Sequence, residues 1–354
     1  MAKRVLIAAG GTGGHIFPAL ACAEEFVTRG WEVLFVGAGR DLERRTLASR
    51  YEYHVLPVSP LKGGSPLRKV KALAILLFSL RKALSLLRPL RPDLVLGVGG
   101  YISGPVVLAA ALLRVPRAIH EQNVVPGLAN RLSAPVASRI FVSFEESLKA
   151  FPRGKVVLTG NPVRKEVLKA RGLTRGRTFT LFVMGGSQGA RGINRAMVEA
   201  LPRLQDLAME VIHQTGEGDL PWVKEAYSNY PLEATVFPFT EEVGPCYARA
   251  HLVVSRAGAL TLAELGALGR TAILVPYPFS ADDHQRRNAE VFVKRGAAKM
   301  ILEEDLTGER LAQEIRALFE EEHLREAMEA RARDFGRPEA ASEIVGECLK
   351  LLEG

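Results

Sequence analysis

A chain of 354 residues is too long for one ordinary domain and suits two. With 47% hydrophobic and 24% charged residues it has a globular composition able to bury two cores, and the sparse cysteines Cys22, Cys246 and Cys348 show no metal-ligand spacing and fit a reducing compartment. The net charge of +8 is uneven: residues 1–160 hold 22 Lys+Arg against 10 Asp+Glu and the rest hold 25 against 29, so only the first half suits a polyanion or an anionic surface.

Met1–Arg4 runs straight into an apolar strand without a signal-peptide pattern, and no apolar run reaches bilayer-spanning length; Ala72–Leu80 and Val106–Leu113 are too short. Strand-like runs follow at Arg4–Ala9, Glu32–Val36, His54–Val58, Leu94–Val98, Arg117–His120, Arg139–Ser143 and Val156–Thr159. Helical stretches such as Phe17–Thr28 and Leu67–Leu87 separate them, an alternation that predicts a parallel sheet covered on both faces. A second series begins after Thr159–Arg164: Thr178–Met184, Met209–Gln214, Ala234–Phe237, Leu252–Ser255, Ala272–Pro276 and Ala298–Leu302. The end, Leu311–Leu352, reads as helix throughout.

Three glycine-rich turns follow strands: Gly10–His15, Gly99–Pro105 and Gly185–Ala190. A glycine turn opening a helix points unpaired N–H groups at an anion and lets a ligand approach the main chain. One such turn is as easily a tight corner as a site. Three in one chain point to a phosphate-rich ligand at the carboxyl ends of the strands. A dinucleotide fingerprint would need glycine where Ile16 stands and an acidic residue where Val36–Gly39 offers none, and a Walker loop would need Gly-Lys-Ser/Thr.

With the segments GGTGGHIFPAL, GGYISGP, HEQNVVPGLANR, GNPVR, GGSQGA, HQTGEG, SRAGALTLAE and DDHQRRNA in order from residue 10 to 289, the chain resembles the MurG family of UDP-N-acetylglucosamine transferases, which build the disaccharide of the bacterial cell-wall lipid precursor. The resemblance implies the GT-B fold: two Rossmann-like, doubly wound parallel-sheet α/β domains facing across a cleft. Residues 1–160 would face acceptor and membrane, residues 161–336 would hold UDP-sugar, and a final helix, about 337–354, would pack back on the first domain.

The residues offer groups suited to such a substrate. Glu264, in the helix opened by Gly258–Thr261, has two acceptor oxygens for a ribose diol, and the backbone of Ala259, Leu260 and Thr261 suits a phosphate. Ser187 adds a hydroxyl, and Arg164 has the fork for the β-phosphate. Taken singly, Glu264 is a solvated helix carboxylate, Arg164 a surface ion pair and Gln285 a loop residue. Their joint fit to one ligand favours function. By the resemblance, Phe239 and Thr240 read uracil, Gln285 bonds the sugar hydroxyls, Asn123 touches the donor sugar or the acceptor, and Thr12, Gly13 and Gly14 lie near the donor. Where the family commonly has glutamine before Gln285, this chain has His284. The acceptor diphosphate is assigned to Gly11, Gly13, Gly14, Gly100, Ser103 and Gly104.

A base must take the acceptor hydroxyl's proton. His15 closes the first glycine turn and Glu121 is its rival; both stay open, while His120 reads as structural. The resemblance implies direct inversion. No Asp-x-Asp motif suggests a metal over the diphosphate, and neither a bound metal nor another cofactor is expected.

Ser65–Arg91 interleaves seven basic residues with leucines and carries no acid. One face is expected to be core, and Ile75, Leu76, Phe78, Leu80, Arg81 and Lys82 a patch for an anionic bilayer surface. Expected partners are thus UDP-N-acetylglucosamine, an undecaprenyl-diphosphate-linked acceptor and that membrane, with no nucleic acid. A UDP-N-acetylglucosamine 2-epimerase and a non-catalytic lipid-diphosphate carrier are the competing readings.

Overall fold

Short β-branched runs that bury both faces become the central strands of two parallel sheets in the computed structural model, which describes residues 2–57, 66–186 and 189–353. The first sheet comprises β1 (Arg4–Ala8), β2 (Glu32–Gly37), β3 (Glu52–Val55), β4 (Leu94–Gly97), β5 (Arg117–Glu121), β6 (Arg139–Val142) and β7 (Val156–Leu158). Its order is β3-β2-β1-β4-β5-β6-β7, every pair parallel. Helices α1 (Gly13–Thr28), α2 (Asp41–Glu43), α3 (Pro66–Leu90), α4 (Gly100–Leu112) and α5 (Leu128–Ser133) connect the strands.

The second series gives β8 (Phe179–Met184), β9 (Met209–Gln214), β10 (Glu233–Phe237), β11 (Leu252–Ser255), β12 (Ala272–Leu274) and β13 (Ala298–Met300), ordered β10-β9-β8-β11-β12-β13 and again all parallel. Its helices are α6 (Lys165–Leu168), α7 (Arg191–Leu204), α8 (Leu220–Tyr227), α9 (Gly244–Arg249), α10 (Ala259–Leu268), α11 (His284–Lys294), α12 (Gly308–Glu320) and α13 (Glu322–Phe335). The chain ends in α14 (Ala340–Lys350). Both expected Rossmann-like domains are therefore present. The third strand lies earlier than the expected His54–Val58, because Gly37–Leu34 of β2 pair with Val55–Glu52; Val58 lies outside the described residues.

One compact unit is Met1–Arg164 with Glu339–Gly354, the other Lys165–Pro338. The expected boundaries at 160 and 336 fall a few residues short of these. Residues 160–164 stay with the first unit because Gly160 N–H donates to Val142 O and the Arg164 guanidinium stacks 4.2 Å from the Phe17 ring. α14 joins the same unit by burying Ile344, Val345 and Cys348 in one core with Ile16, Ala19, Ala23 and Phe26 of α1, and Arg29 donates to Ser342 at its first turn.

Each sheet has a switch point, where successive crossovers run to opposite sides. It lies between β1 and β4 in the first unit and between β8 and β11 in the second. Loops at the carboxyl ends of these strands flank a ready-made crevice. Among the described residues no helix is long and apolar enough to cross a membrane.

Candidate functional site

The first two glycine turns flank the β1/β4 switch point and pack against each other. A Cβ on Gly100 (φ +73°) would lie 2.3 Å from the carbonyl oxygen of Gly10. The Ser103 hydroxyl donates to Ala8 O (2.9 Å) or Gly99 O (2.6 Å) and is fully buried, so it ties the turns together instead of facing a ligand. Gly104 is likewise buried in α4. Gly11 (φ +114°) has open space where a Cβ would be, and Thr12 is the extended N-cap of α1 with Gly13, Gly14 and His15 in its first turn. Thr12 is exposed and Gly11, Gly14 and Gly100 are partly exposed, whereas Gly13 is buried against Phe17.

His15 is partly exposed, and its ring lies against Gly99 (φ +86°): a Cβ there would stand 2.5 Å from Cδ2 and 2.8 Å from Nε2. Gln122 Oε1 faces the same spot at 3.0 Å. The Gln122 amide nitrogen sits 3.0 Å from Val98 O and 2.9 Å from His120 Nδ1. His120 Nε2 meets Gly160 O at 3.1 Å, and burial pushes its imidazole down to about 4, so it is neutral near pH 7.

Glu121 lies deeper, 2% exposed. Its Oε1 accepts from Asn123 N (2.9 Å) and Asn123 Nδ2 (3.4 Å), and its Oε2 from Asn130 Nδ2 (2.8 Å) and Gly127 N (3.0 Å). Burial raises its pKa while these four donors oppose the rise. This geometry pins the loop that presents Asn123, whose carbonyl also accepts from Ser147 Oγ.

In the second unit the third glycine turn and the N-terminus of α10 flank the β8/β11 switch point. Gly189 (φ +73°) packs so closely that a Cβ would lie 2.4 Å from Thr215 O. Ser187 lies outside the described residues. Gly258 is an extended N-cap, so the N–H groups of Ala259, Leu260 and Thr261 precede the first intrahelical bond, Leu262 N to Gly258 O. Glu264, a turn further on, is 2% exposed and accepts a hydrogen bond from the Tyr247 hydroxyl at 3.1 Å on Oε2.

Phe239 and Thr240 are partly exposed after β10, so Phe239 is no core residue. Gln285 Oε1 accepts from Tyr277 N at 3.0 Å, which occupies the amide oxygen and makes Nε2 the group's donor end. His284 Nδ1 is bound to Ala281 O (2.7 Å) within its own turn. Asp282 and Asp283 both adopt left-handed φ, 51° and 52°, in the loop before α11.

Sequence reasoning missed Glu43, Gln122 and Tyr247. Glu43 is fully buried and accepts from Gly11 N (3.0 Å), Gly39 N (2.8 Å) and the Tyr53 hydroxyl (2.7 Å), holding the first glycine turn from below. All three act on partners distant in sequence or on a neighbouring turn. The HEQN segment did carry Gln122, but nothing in the letters separates its role from that of Glu121.

Two domain descriptions match the chain: the glycosyltransferase family 28 N-terminal domain over residues 5–142 and the family 28 C-terminal domain over residues 180–344. The UDP-N-acetylglucosamine--N-acetylmuramyl-(pentapeptide) pyrophosphoryl-undecaprenol N-acetylglucosamine transferase of Geotalea daltonii is 48% identical over 97% of this chain and 96% of its own. The protein of the same name from Desulfotalea psychrophila is 47% identical over 99% and 97%. The crystal structure of Acinetobacter baumannii MurG superposes with a TM-score of 0.79 at 31% identity, covering 98% of this chain and 99% of that one. Paired switch points, glycine turns and full-length identity thus converge, and the chain belongs to glycosyltransferase family 28 and, within it, to the MurG family.

Proposed function

We propose that the chain is an inverting glycosyltransferase that moves N-acetylglucosamine from UDP to the C4 hydroxyl of an undecaprenyl-diphosphate-linked N-acetylmuramyl-pentapeptide, a step of peptidoglycan synthesis. The observation that carries this reading is 45–48% identity, over nearly the full length, to transferases named for that reaction.

Unit by unit, the geometry suits the task. In the second unit the N–H groups of Ala259, Leu260 and Thr261 would receive the diphosphate, Glu264 the ribose diol, and Phe239 with Thr240 the uracil edge. The amide nitrogen of Gln285, whose oxygen is taken by Tyr277 N, would donate to a sugar hydroxyl. Ser187 would add its hydroxyl. Arg164, held by Phe17 in the first unit, is the group we propose for the β-phosphate, and no resident metal or other cofactor is part of the proposal.

In the first unit Gly11–Gly14 and Gly100 would cradle the acceptor diphosphate, and Asn123 would orient sugar. We take His15 as base: its imidazole accepts the acceptor's proton as the new bond forms on the anomeric face opposite UDP. Its partial exposure supports this, and Glu121, enclosed by four donors, serves better as the loop's anchor.

We further place the enzyme on the cytoplasmic face of the cell membrane as a peripheral protein. The basic apolar helix α3, with Leu77 and Phe78 each 54% exposed and Arg81 and Lys82 exposed beside them, supports this. Leu80 is partly buried against the core and contributes less, Ile75 is partly exposed, and the Leu76 side chain lies outside the described residues.

Incubation with UDP-N-acetylglucosamine, with and without lipid-diphosphate-muramyl acceptor, tests the activity. Acceptor-dependent UDP release is expected. Sugar isomerisation without acceptor would instead identify an epimerase, and binding without either product a carrier. His15→Ala should cut turnover about 10²–10⁴-fold with little change in UDP affinity, whereas Glu121→Gln should lower thermal stability by leaving donors face to face. Full activity in His15→Ala would move the base elsewhere.

A further inference from the structure

Glu264 has a partner of its own, one that no sequence motif announces. The Tyr247 hydroxyl donates to Glu264 Oε2 at 3.1 Å, and the Tyr247 hydroxyl oxygen also lies 3.4 Å from Sδ of Met184, the last residue of β8. Tyr247 is completely buried on α9. Its ring meets Phe182 of β8 edge-on, with centroids 5.4 Å apart at 89°, and its carbonyl accepts from Arg270 Nε at 2.8 Å. Ring and main chain are both fixed, so the phenol oxygen stands at one point, where the carboxyl end of β8 meets α10 beside the switch point.

A glutamate carboxylate rotates easily about its last torsion, which has a broad profile. An unsupported Glu264 would sample orientations that present one oxygen, or neither, to a diol. One strong donor on Oε2 selects the plane, and a carboxylate still has lone pairs to accept from two further hydroxyls. Groups held in place by a second layer of hydrogen bonds bind without reorganising when ligand arrives.

We propose that Tyr247 is a positioning residue for nucleotide recognition: its hydroxyl sets the Glu264 carboxylate so that the enzyme distinguishes ribose from deoxyribose in the nucleoside diphosphate. The proposal rests on the assignment of Glu264 to the ribose diol.

Calorimetric binding of UDP, 2′-deoxy-UDP and 3′-deoxy-UDP to the full-length protein tests it. The intact protein should prefer UDP over a deoxy analogue by about tenfold or more, as expected for a hydrogen bond to a charged acceptor. Tyr247→Phe keeps the ring and its packing on Phe182, and should weaken UDP several-fold while leaving the deoxy analogue nearly unchanged. Tyr227→Phe is the control: it removes another buried hydroxyl of this unit, one bonded to His213 Nδ1 at 3.1 Å, and should leave the UDP/deoxy-UDP ratio intact. A ratio preserved in Tyr247→Phe but collapsed in Glu264→Gln would overturn the positioning role and keep the ribose assignment. A ratio preserved in both would overturn the ribose assignment and the proposal with it.

Discussion

Gly99 has no side chain, and the space a Cβ would fill is taken by the imidazole of His15, 2.5 Å away at Cδ2. Its φ of +86° adds a second reason for glycine. Gly99→Ala should push the ring off its position and lower kcat by about 10–100-fold, since small misplacements of a reacting group are costly. UDP affinity should stay within about twofold, because Ala259–Thr261 and Glu264 are built by the other unit. Steady-state kinetics with separate UDP titration decides this; an unchanged kcat would remove His15 from the chemistry. The same position shows what the sequence exposes and what it hides. Glycine after a strand is legible as a turn that opens a helix, and Gly11–Gly14 do open α1. The role of Ser103 is not legible, because its hydroxyl is spent on the carbonyls of Ala8 and Gly99, 95 and 4 residues away. Tyr247 and Glu264, 17 residues apart, meet because α9 sets the Tyr247 hydroxyl between Met184 at the end of β8 and Glu264 of α10.

At the scale of elements, period and composition identified the strands well, because a buried parallel strand needs a short β-branched run on both faces. Boundaries were less legible, as β3 shows: its register on β2 decides where pairing stops. Helix α3 is the element where two demands overlap. Ala83 and Leu87 are buried in the first unit's core, whereas Leu77 and Phe78 are exposed with Lys82 Nζ 5.5 Å from the Phe78 ring. Leucines on both faces obscure that division in the sequence alone. Exposed apolar residues flanked by Arg81 and Lys82 suit shallow insertion among anionic headgroups, with about 1 kcal/mol from each basic residue near the surface. Replacing Leu77 and Phe78 together by Glu should lower binding to anionic vesicles roughly tenfold or more and leave the melting temperature unchanged, since neither is core. Binding of the parent protein should also weaken as salt rises. Equal binding by parent and variant, or equal binding to neutral vesicles at high salt, would assign α3 to packing alone.

At the scale of the whole molecule, the two units repeat one topology but differ in how protons couple to their stability. The second unit buries His213 completely and holds its pKa near 3; His251, half-buried, is also lowered, by burial first and then by Arg175 and Arg325. The first unit buries His120, lowered to about 4, but it also buries Glu121, whose pKa is raised. For a depressed histidine the folded state refuses a proton that the unfolded chain accepts below about pH 6.5. Stability is therefore full above that pH and falls as pH drops toward the folded value. For a raised carboxyl the sign reverses, and folding is favoured as pH falls. The second unit sums two losses, while the first sets a gain against its loss. Between pH 6.5 and 5, His213 alone should cost the second unit about 2 kcal/mol, a fall of about 4–8 °C in its melting temperature. The chain's two tryptophans report the units separately: Trp31 packs on Phe26 in the first, and Trp222 donates to Asp219 Oδ1 in the second. Trp31→Phe and Trp222→Phe variants, melted by fluorescence at pH 7.5, 6.5 and 5, should give the steeper acid slope for Trp222. His213→Asn should lower stability at every pH and flatten that slope. Parallel slopes for both reporters, or a His213→Asn slope equal to the parent's, would mean that these buried imidazoles do not govern the acid sensitivity of the fold.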